Sequence, residues 1–161
     1  MIYADNAATT KMSEAAINRM VEVAKENYGN PSSLYVFGQK AKEILEQARA
    51  DVAGIINAAP REIIFTSGGS EADNQAILSA AEIGKKKGKM HIISSAFEHH
   101  AVLHTLEKLK KSGFEITLVD VHEDGIVRPG EVEAAIREDT SNSPVFRLTT
   151  LRLRYFLITG S

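Results

Sequence analysis

The sequence predicts an α/β protein in which helices flank a mainly parallel sheet. Short apolar runs that indicate buried strands alternate with longer amphipathic stretches that have helix start and stop signals. Successive strands with a helix between them require right-handed crossovers and therefore parallel pairing. The 161 residues fit one domain, and 43% hydrophobic with 25% charged residues is typical of a globular protein.

Two helices precede the first predicted strand. Ser13 is a good N-cap, and apolar residues continue at helical spacing from Ile17 until Gly29 can end the helix. The Gly-Asn-Pro-Ser-Ser loop that follows has strong turn chemistry. A second helix is predicted over 33–56, because one apolar stripe runs along this whole segment.

The remaining predicted elements alternate regularly. They are a strand over 63–65, a helix over 70–87, a strand over 91–95, a helix over 98–111, a strand over 115–121 and a helix from Pro129. Ser70 and Asp73 resemble a capping box at the start of the 70–87 helix. Ligands bind at the carboxyl ends of parallel strands, so the loops 66–71 and 96–100 are the candidate site.

Composition excludes several classes of function. The chain has no cysteine, which excludes disulfides, thiolate metal sites and cysteine nucleophiles within it. Its net charge of −2 gives no basic field for nucleic acid. No apolar run approaches the ~18 residues of a membrane span. The N-terminus shows no secretory signal, so we expect a cytoplasmic protein.

The loop Ser67-Gly68-Gly69-Ser70 joins a predicted strand to a predicted helix. Glycines allow close approach of a ligand to the backbone, and the helix start offers free N–H groups and a positive dipole end. A hydroxyl at Ser70 completes a possible phosphate cradle. A tight turn with an ordinary N-cap explains the same residues, and the physics of the loop leaves both interpretations open.

Histidines follow the second predicted strand. His99 faces the same edge as the glycine loop and can stack on a cofactor ring or act as an acid or base; a plain surface histidine is the alternative. His100 and His104 are four residues apart, as zinc ligands can be, but no third ligand has suitable spacing. We therefore predict no metal site. The lysines at 85–89 indicate a solvated helix end.

Four stretches resemble the N-terminal part of NifS-type cysteine desulfurases, which are pyridoxal-phosphate (PLP) enzymes of the class V aminotransferase-like group. They are YADNAATT (3–10), YGNPSSLYVFG (28–38), EIIFTSGGSEADN (62–74) and HIISSAFEHHAVL (91–103), in the family's order and spacing. The resemblance covers about residues 2–140. It implies part of the large domain of a fold-type-I PLP-dependent transferase, and a homodimer.

The resemblance also implies roles for individual residues. Gly69 and Ser70 match the pair that binds the cofactor phosphate, where the family commonly has Ala-Thr. His99 matches the histidine that stacks on the pyridine ring and moves protons. Asn6, Ala7 and Thr9 match the segment near the substrate, which is L-cysteine in the family. A sulfur-acceptor protein or an iron–sulfur scaffold is the partner class implied.

The family reaction takes sulfur from L-cysteine, leaving L-alanine and an enzyme persulfide. It uses a lysine bound covalently to the cofactor, an acidic partner for the pyridine nitrogen, a mobile cysteine and an arginine, all downstream of the matched region. This chain has no Ser-x-His-Lys motif and no cysteine. We therefore expect it to be inactive alone.

The sequence leaves the family pattern after Thr140. We predict two parts, a desulfurase-like part over 1–140 and a divergent tail over 141–161 that carries +3. A shifted reading frame, a truncated gene or a cloning artefact explains such a tail, and the protein sequence leaves these open. Two other functions also stay open: another class V PLP enzyme, such as a selenocysteine lyase or an aminotransferase, and a non-catalytic interaction domain.

Overall fold

The computed structural model describes residues 2–6 and 8–141. The predicted tail therefore lies outside the described residues, except for Ser141. The chain divides into two compact units, and the boundary falls between Phe65 and Thr66.

The first unit contains helices α1 (Glu14–Glu26) and α2 (Val36–Ile55) and a 3-10 turn (Pro60–Glu62). Both predicted helices are confirmed. Ser13 caps α1, because its Oγ accepts a hydrogen bond of 3.2 Å from the amide of Ala16. The second helix begins three residues later than predicted.

A close approach of α2 to the loop before it explains the later start. A Cβ on Gly38 would lie 2.6 Å from the carbonyl oxygen of Asn30, so only glycine fits there. The side chain of Asn30 also accepts a hydrogen bond of 2.9 Å from the amide of Ser32, which forms an Asx turn. Residues 30–33 therefore form a turn of their own ahead of α2.

The predicted strand over 63–65 is wrong. Residues 63–65 have no ladder partner among the described residues, and Ile64 and Phe65 are exposed. Arg49 holds this segment instead. Its guanidinium donates a hydrogen bond to the carbonyl of Ile63 and lies 5.1 Å from the ring centroid of Phe65. An apolar run predicts a strand only where a neighbouring strand supplies the ladder hydrogen bonds.

The second unit contains α3 (Gly69–Lys86), β1 (His91–Ser95), α4 (His100–Lys111), β2 (Glu115–Val119) and α5 (Pro129–Ala135). Strands β1 and β2 pair in parallel, with His91 opposite Glu115 and Ser95 opposite Val119. The α/β class is thus confirmed, and β1 has its predicted bounds. Strand β2 ends two residues earlier than predicted, and α5 begins at Pro129 as predicted.

The chain returns to β1 after α5. Thr140 forms a parallel bridge with His91, on the edge of β1 opposite to β2. The amide of His91 donates to the carbonyl of Asp139 (3.1 Å), and the amide of Ser141 donates to the carbonyl of His91 (2.8 Å). Both backbone groups of His91 are therefore bonded to the 139–141 segment. On the β2 side the carbonyl of Met90 accepts from the amide of Glu115 (2.9 Å), so β1 is the inner strand at this point.

One apolar core joins α3 and α4 to the sheet. Its buried members are Ile77, Ala81, Ile92, Val102, Leu106, Leu109 and Phe114. Helix α4 connects two parallel strands, so it runs antiparallel to them. Helix α3 leads into β1 through a short turn and packs beside α4. The two helices therefore run in the same direction, with their N-termini at one end of the pair.

Candidate functional site

The glycine loop forms an open helix start. Gly68 is the N-cap of α3, without a side-chain cap. Within the described residues, the amides of Gly69 and Ser70 have no hydrogen-bond partner. A Cβ on Gly68 or Gly69 would meet no atom within 4 Å, so no neighbouring segment packs against the loop at these two positions. Free amides, a positive dipole end and an exposed hydroxyl fit a phosphate group.

The predicted capping box of Ser70 with Asp73 is wrong. The helix begins one residue earlier than expected, so Ser70 lies inside the first turn and its hydroxyl is left exposed. Glu71 closes the loop instead, since its carboxylate accepts from both the amide and the Oγ of Ser67, each at 2.6 Å. The hydrogen bonds from Ser67 lower the pKa of the Glu71 carboxyl.

His99 is the N-cap of α4. Its Nδ1 accepts a hydrogen bond of 3.1 Å from the amide of Ala101, and the residue is exposed. A nitrogen that accepts carries no proton, so the neutral ring holds its proton on Nε2. The cap thereby fixes which nitrogen is available to a ligand.

Helices α3 and α4 are tied together near the candidate site. The hydroxyl of Thr105 donates a hydrogen bond to the Oδ1 of Asn74, and Thr105 is buried. Asn74 lies about 7.5 Å along its helix from Gly69, and Thr105 lies about 9 Å along from His99, at 1.5 Å per residue. Because the helices run in the same direction, the glycine loop and His99 lie at the same end of this pair.

The predicted substrate segment belongs to the first unit. Asn6 and Thr9 are exposed and lie in a turn in which the carbonyl of Asp5 accepts from the amide of Ala8 (3.1 Å). Ala7 lies outside the described residues. The substrate role of this segment stays a prediction.

The rings of His100 and His104 are neighbours on α4. Their centroids are 5.6 Å apart, and both residues are exposed. In the part of the chain that the structure describes, no group of three or more histidine, cysteine or carboxylate residues is arranged to hold a metal ion. The expected absence of a metal site stays a prediction.

Sequence reasoning missed the role of His91. This residue is fully buried, with Nδ1 2.8 Å from the Oγ1 of Thr140 and Nε2 2.7 Å from the Oγ1 of Thr117. Burial lowers the pKa of His91, and the positive charge of Arg137 lowers it further. The ring is therefore neutral at pH 7 and joins β1 to its two neighbours. Its partners are 26 and 49 residues away, so no local signal predicts them.

An exposed ion-pair cluster lies beside His91. Arg137 binds both carboxylate oxygens of Glu115, at the start of β2, and pairs with Asp139 at 3.0 Å. These hydrogen bonds lower the pKa of the carboxyls of Glu115 and Asp139 and raise that of the Arg137 guanidinium. The cluster stabilises the turn that brings Thr140 to β1.

Comparisons with known proteins agree with this architecture. Residues 2–145 match the Aminotransferase class-V family. The putative cysteine desulfurase IscS 1 of Bacillus subtilis (strain 168) is 48% identical over 139 residues, which cover 86% of this chain and 36% of that protein. The cysteine desulfurase IscS of Neisseria meningitidis serogroup C is 47% identical over 140 residues, which cover 86% of this chain and 34% of that protein.

Solved structures give the same result. A NifS-like protein superposes with a TM-score of 0.79 at 38% identity, covering 84% of this chain and 37% of that one. SspA in complex with cysteine superposes with a TM-score of 0.77 at 33% identity, covering 86% of this chain and 40% of that one.

The chain belongs to the class V aminotransferase family, and its resemblance to NifS-type cysteine desulfurases is confirmed. It spans about a third of the length of the curated relatives named above. No helix among the described residues is long and apolar enough to cross a membrane.

Proposed function

We propose that this chain supplies part of the cofactor site of a PLP-dependent cysteine desulfurase. In such an enzyme, sulfur leaves L-cysteine to give L-alanine and an enzyme persulfide. The observation that carries the proposal is the shared end of α3 and α4, where a free helix start and an exposed histidine lie together. The curated relatives described above are cysteine desulfurases, which favours this function over another class V activity.

Three residues would bind the cofactor. The amides of Gly69 and Ser70 and the Ser70 hydroxyl would hold the phosphate, since a dianion suits free N–H groups at a helix start. The ring of His99 would lie against the pyridine ring. When bound, PLP supplies an electron sink for reactions at the substrate Cα. His99 holds a proton at Nε2 and would exchange it there as the catalytic acid or base.

The chain cannot complete the reaction with its own groups. It contains no cysteine to carry the persulfide sulfur and no lysine in the family's Ser-x-His-Lys context. We therefore propose that it is inactive alone. Asn6, Ala7 and Thr9 would contribute to L-cysteine binding, and the neighbour SspA in complex with cysteine supports this substrate class. A homodimer, a sulfur acceptor or iron–sulfur scaffold as partner, and a cytoplasmic location are further parts of the proposal.

A binding experiment tests the phosphate cradle. Titration of the purified chain with PLP, followed by absorbance and fluorescence, is compared among wild type, Ser70→Ala and Ser79→Ala. Ser79 is an exposed serine on the same helix and serves as the matched control. Loss of a hydrogen bond to a charged group should weaken PLP binding by about tenfold in Ser70→Ala alone. Equal affinities of the two variants would contradict the proposal.

Two further measurements complete the test. Pyridoxal, which has no phosphate, should bind wild type and Ser70→Ala equally. Alanine and sulfide released from L-cysteine by the chain should not exceed a blank of PLP alone. Release above that blank would show that the proposed inactivity is wrong.

A further inference from the structure

The lysines of the second unit occupy two helix ends. Residues 66–141 contain seven lysines, and all of them lie in the last turn of α3 or α4 or just beyond α3: Lys85, Lys86, Lys87, Lys89, Lys108, Lys110 and Lys111. Six of them are exposed, and Lys89 is half-buried. The lysine charge of this unit is thus confined to two short segments, 85–89 and 108–111, and its other two cations are Arg128 and Arg137.

The fold brings these two segments to the same edge. Helices α3 and α4 pack side by side and run in the same direction, so their C-termini lie together. Each C-terminus leads within a few residues into a strand, and the first residues of these strands, His91 and Glu115, are register partners. The segments therefore form one surface, the lysine edge, at the end opposite to the glycine loop and His99.

The lysine edge is positive although the unit is acidic. Residues 66–141 contain thirteen acidic and nine basic side chains. Near this edge, Glu115 and Asp139 are paired with Arg137. Lys86 pairs with Glu82 at 3.8 Å. Lys89 donates a hydrogen bond to the carbonyl of Glu138. Within the described residues, the other five lysines of the edge make neither an ion pair nor a side-chain hydrogen bond: Lys85, Lys87, Lys108, Lys110 and Lys111.

The helix dipoles explain only part of this arrangement. A cation in the last helical turn is favoured by the negative dipole end, and this effect falls off within that turn. Lys87 and Lys89 lie beyond the last turn of α3. Five unpaired cations on one surface repel one another, and an external anionic surface would relieve that repulsion.

The chemistry of the edge selects the kind of partner. Residues 85–90 and 107–113 contain no aromatic side chain on which a base could stack, and their leucine, Leu109, is buried, which leaves it unavailable for insertion into a lipid bilayer. Glu107, one residue before the second lysine segment, would repel a continuous phosphate backbone. Discrete carboxylates on a protein can avoid this residue and pair with single lysines.

We propose that the lysine edge is a docking surface for an acidic surface of a partner protein. Its position at the far end of α3 and α4 leaves the glycine loop and His99 accessible while the partner is bound. Exposed charges steer association over about a Debye length, so the interaction weakens as salt rises.

A charge-reversal experiment tests the proposal with fluorescently labelled poly-L-glutamate as the acidic probe. Lys87→Glu/Lys110→Glu/Lys111→Glu changes the edge, and Lys11→Glu/Lys40→Glu/Lys42→Glu makes the same change of net charge on exposed lysines of the first unit. By fluorescence anisotropy at low salt, wild type binds the probe. The edge variant should bind about tenfold more weakly or worse, and the control variant within about threefold of wild type.

Several results would overturn the proposal. They are absence of wild-type binding at low salt, equal weakening in both triple variants, and tighter binding of an oligothymidylate of equal charge or of phosphatidylserine vesicles. The last two would indicate a nucleic acid or a membrane instead. Circular dichroism and thermal midpoints verify folding of each variant. If the edge variant fails to fold, the Lys87→Gln/Lys110→Gln/Lys111→Gln variant replaces it, with an expected loss of at least threefold.

Discussion

The hydroxyl of Thr105 on α4 donates a hydrogen bond to the side-chain oxygen of Asn74 on α3. The residues around this bond, Ile77, Val102 and Leu106, are apolar and buried. A polar pair within an apolar helix interface favours one register over the others, because a shifted helix would separate the Asn74 oxygen from the Thr105 hydroxyl, which would keep only the carbonyl of Ala101 at 2.9 Å. The pair therefore fixes the relative positions of the two helix starts that form the candidate site.

This pairing predicts coupled effects of mutation. Thr105→Val keeps the side-chain shape but removes the donor, and Asn74→Ala removes the acceptor. We expect each single change to lower the free energy of unfolding by about 1–2 kcal/mol. The double variant should be less destabilised than the sum, with a coupling of about 0.5–1.5 kcal/mol in urea unfolding. Strict additivity would contradict an energetic link between the helices.

The lowered pKa of His91 predicts that the free energy of unfolding depends on pH near 6.5, well above the pH at which carboxylates titrate. Burial lowers its pKa from the ordinary 6.5, so the unfolded chain binds a proton that the folded protein does not. Stability from the neutral ring is complete above pH 6.5 and decreases as the pH falls below it. Urea unfolding between pH 7.5 and 5.5 should show this decrease.

A matched pair of variants assigns that effect to His91. His91→Gln should be less stable at pH 7.5 and should lose much of the decrease between pH 7.5 and 5.5. His104→Gln, which alters an exposed histidine, should keep the wild-type profile. An unchanged profile in His91→Gln would show that another group is responsible.

The ionised carboxylate of Glu71 is expected to protect the amide of Ser67 from hydrogen exchange, and this protection should be lost when the carboxylate is protonated or replaced. The folded pKa of this carboxyl is lowered, so its contribution is present above its ordinary value of 4.5 and is lost as the pH falls through the folded value. Glu71→Gln removes the charge and weakens both hydrogen bonds. Amide hydrogen exchange at Ser67 should be faster in this variant at pH 7. Exchange at Ala16, capped by Ser13 in the other unit, provides the control.

Truncation of Leu106 tests how much the apolar core contributes to the free energy of unfolding. It is 2% exposed and packs within the cluster that joins α3, α4 and the sheet. Leu106→Ala should lower the free energy of unfolding by about 2–5 kcal/mol, because the change leaves a cavity. Leu118→Ala, on a leucine that is 46% exposed, should cost clearly less. Similar losses in both variants would mean that the core lies elsewhere.

Local signals predicted most helices and β1 well. Ser13 caps α1 as expected, and the bounds of α3 differ from the prediction by one residue at each end. Capping chemistry and periodicity act within a few residues, so they are visible in the sequence. The strand predicted over 63–65 failed because an apolar run cannot specify its neighbour. Arg49, more than ten residues upstream, binds this segment instead.

In the candidate site, too, features set by local signals were predicted and features set by distant contacts were missed. The glycine loop and His99 were candidates from the sequence, since each combines suitable residues with a predicted helix start, and their cofactor roles stay a prediction. Glu71 was missed because Ser70 was taken as the capping residue, whereas the N-cap is Gly68 and the partner of Glu71 is Ser67. Asn74 and Thr105 were missed because their role depends on a hydrogen bond between residues that are 31 positions apart in the sequence.

The sequence by itself determined the α/β class, the N-cap of α1, the family and the absence of cysteine from this chain. These properties depend on residue type, spacing and local capping. Tertiary structure alone decided that His91 is buried between Thr117 and Thr140, that Thr105 on α4 bonds to Asn74 on α3, and that seven lysines meet at one end of this helix pair. Each of these depends on how parallel strands and packed helices bring distant segments together, which no local interaction specifies.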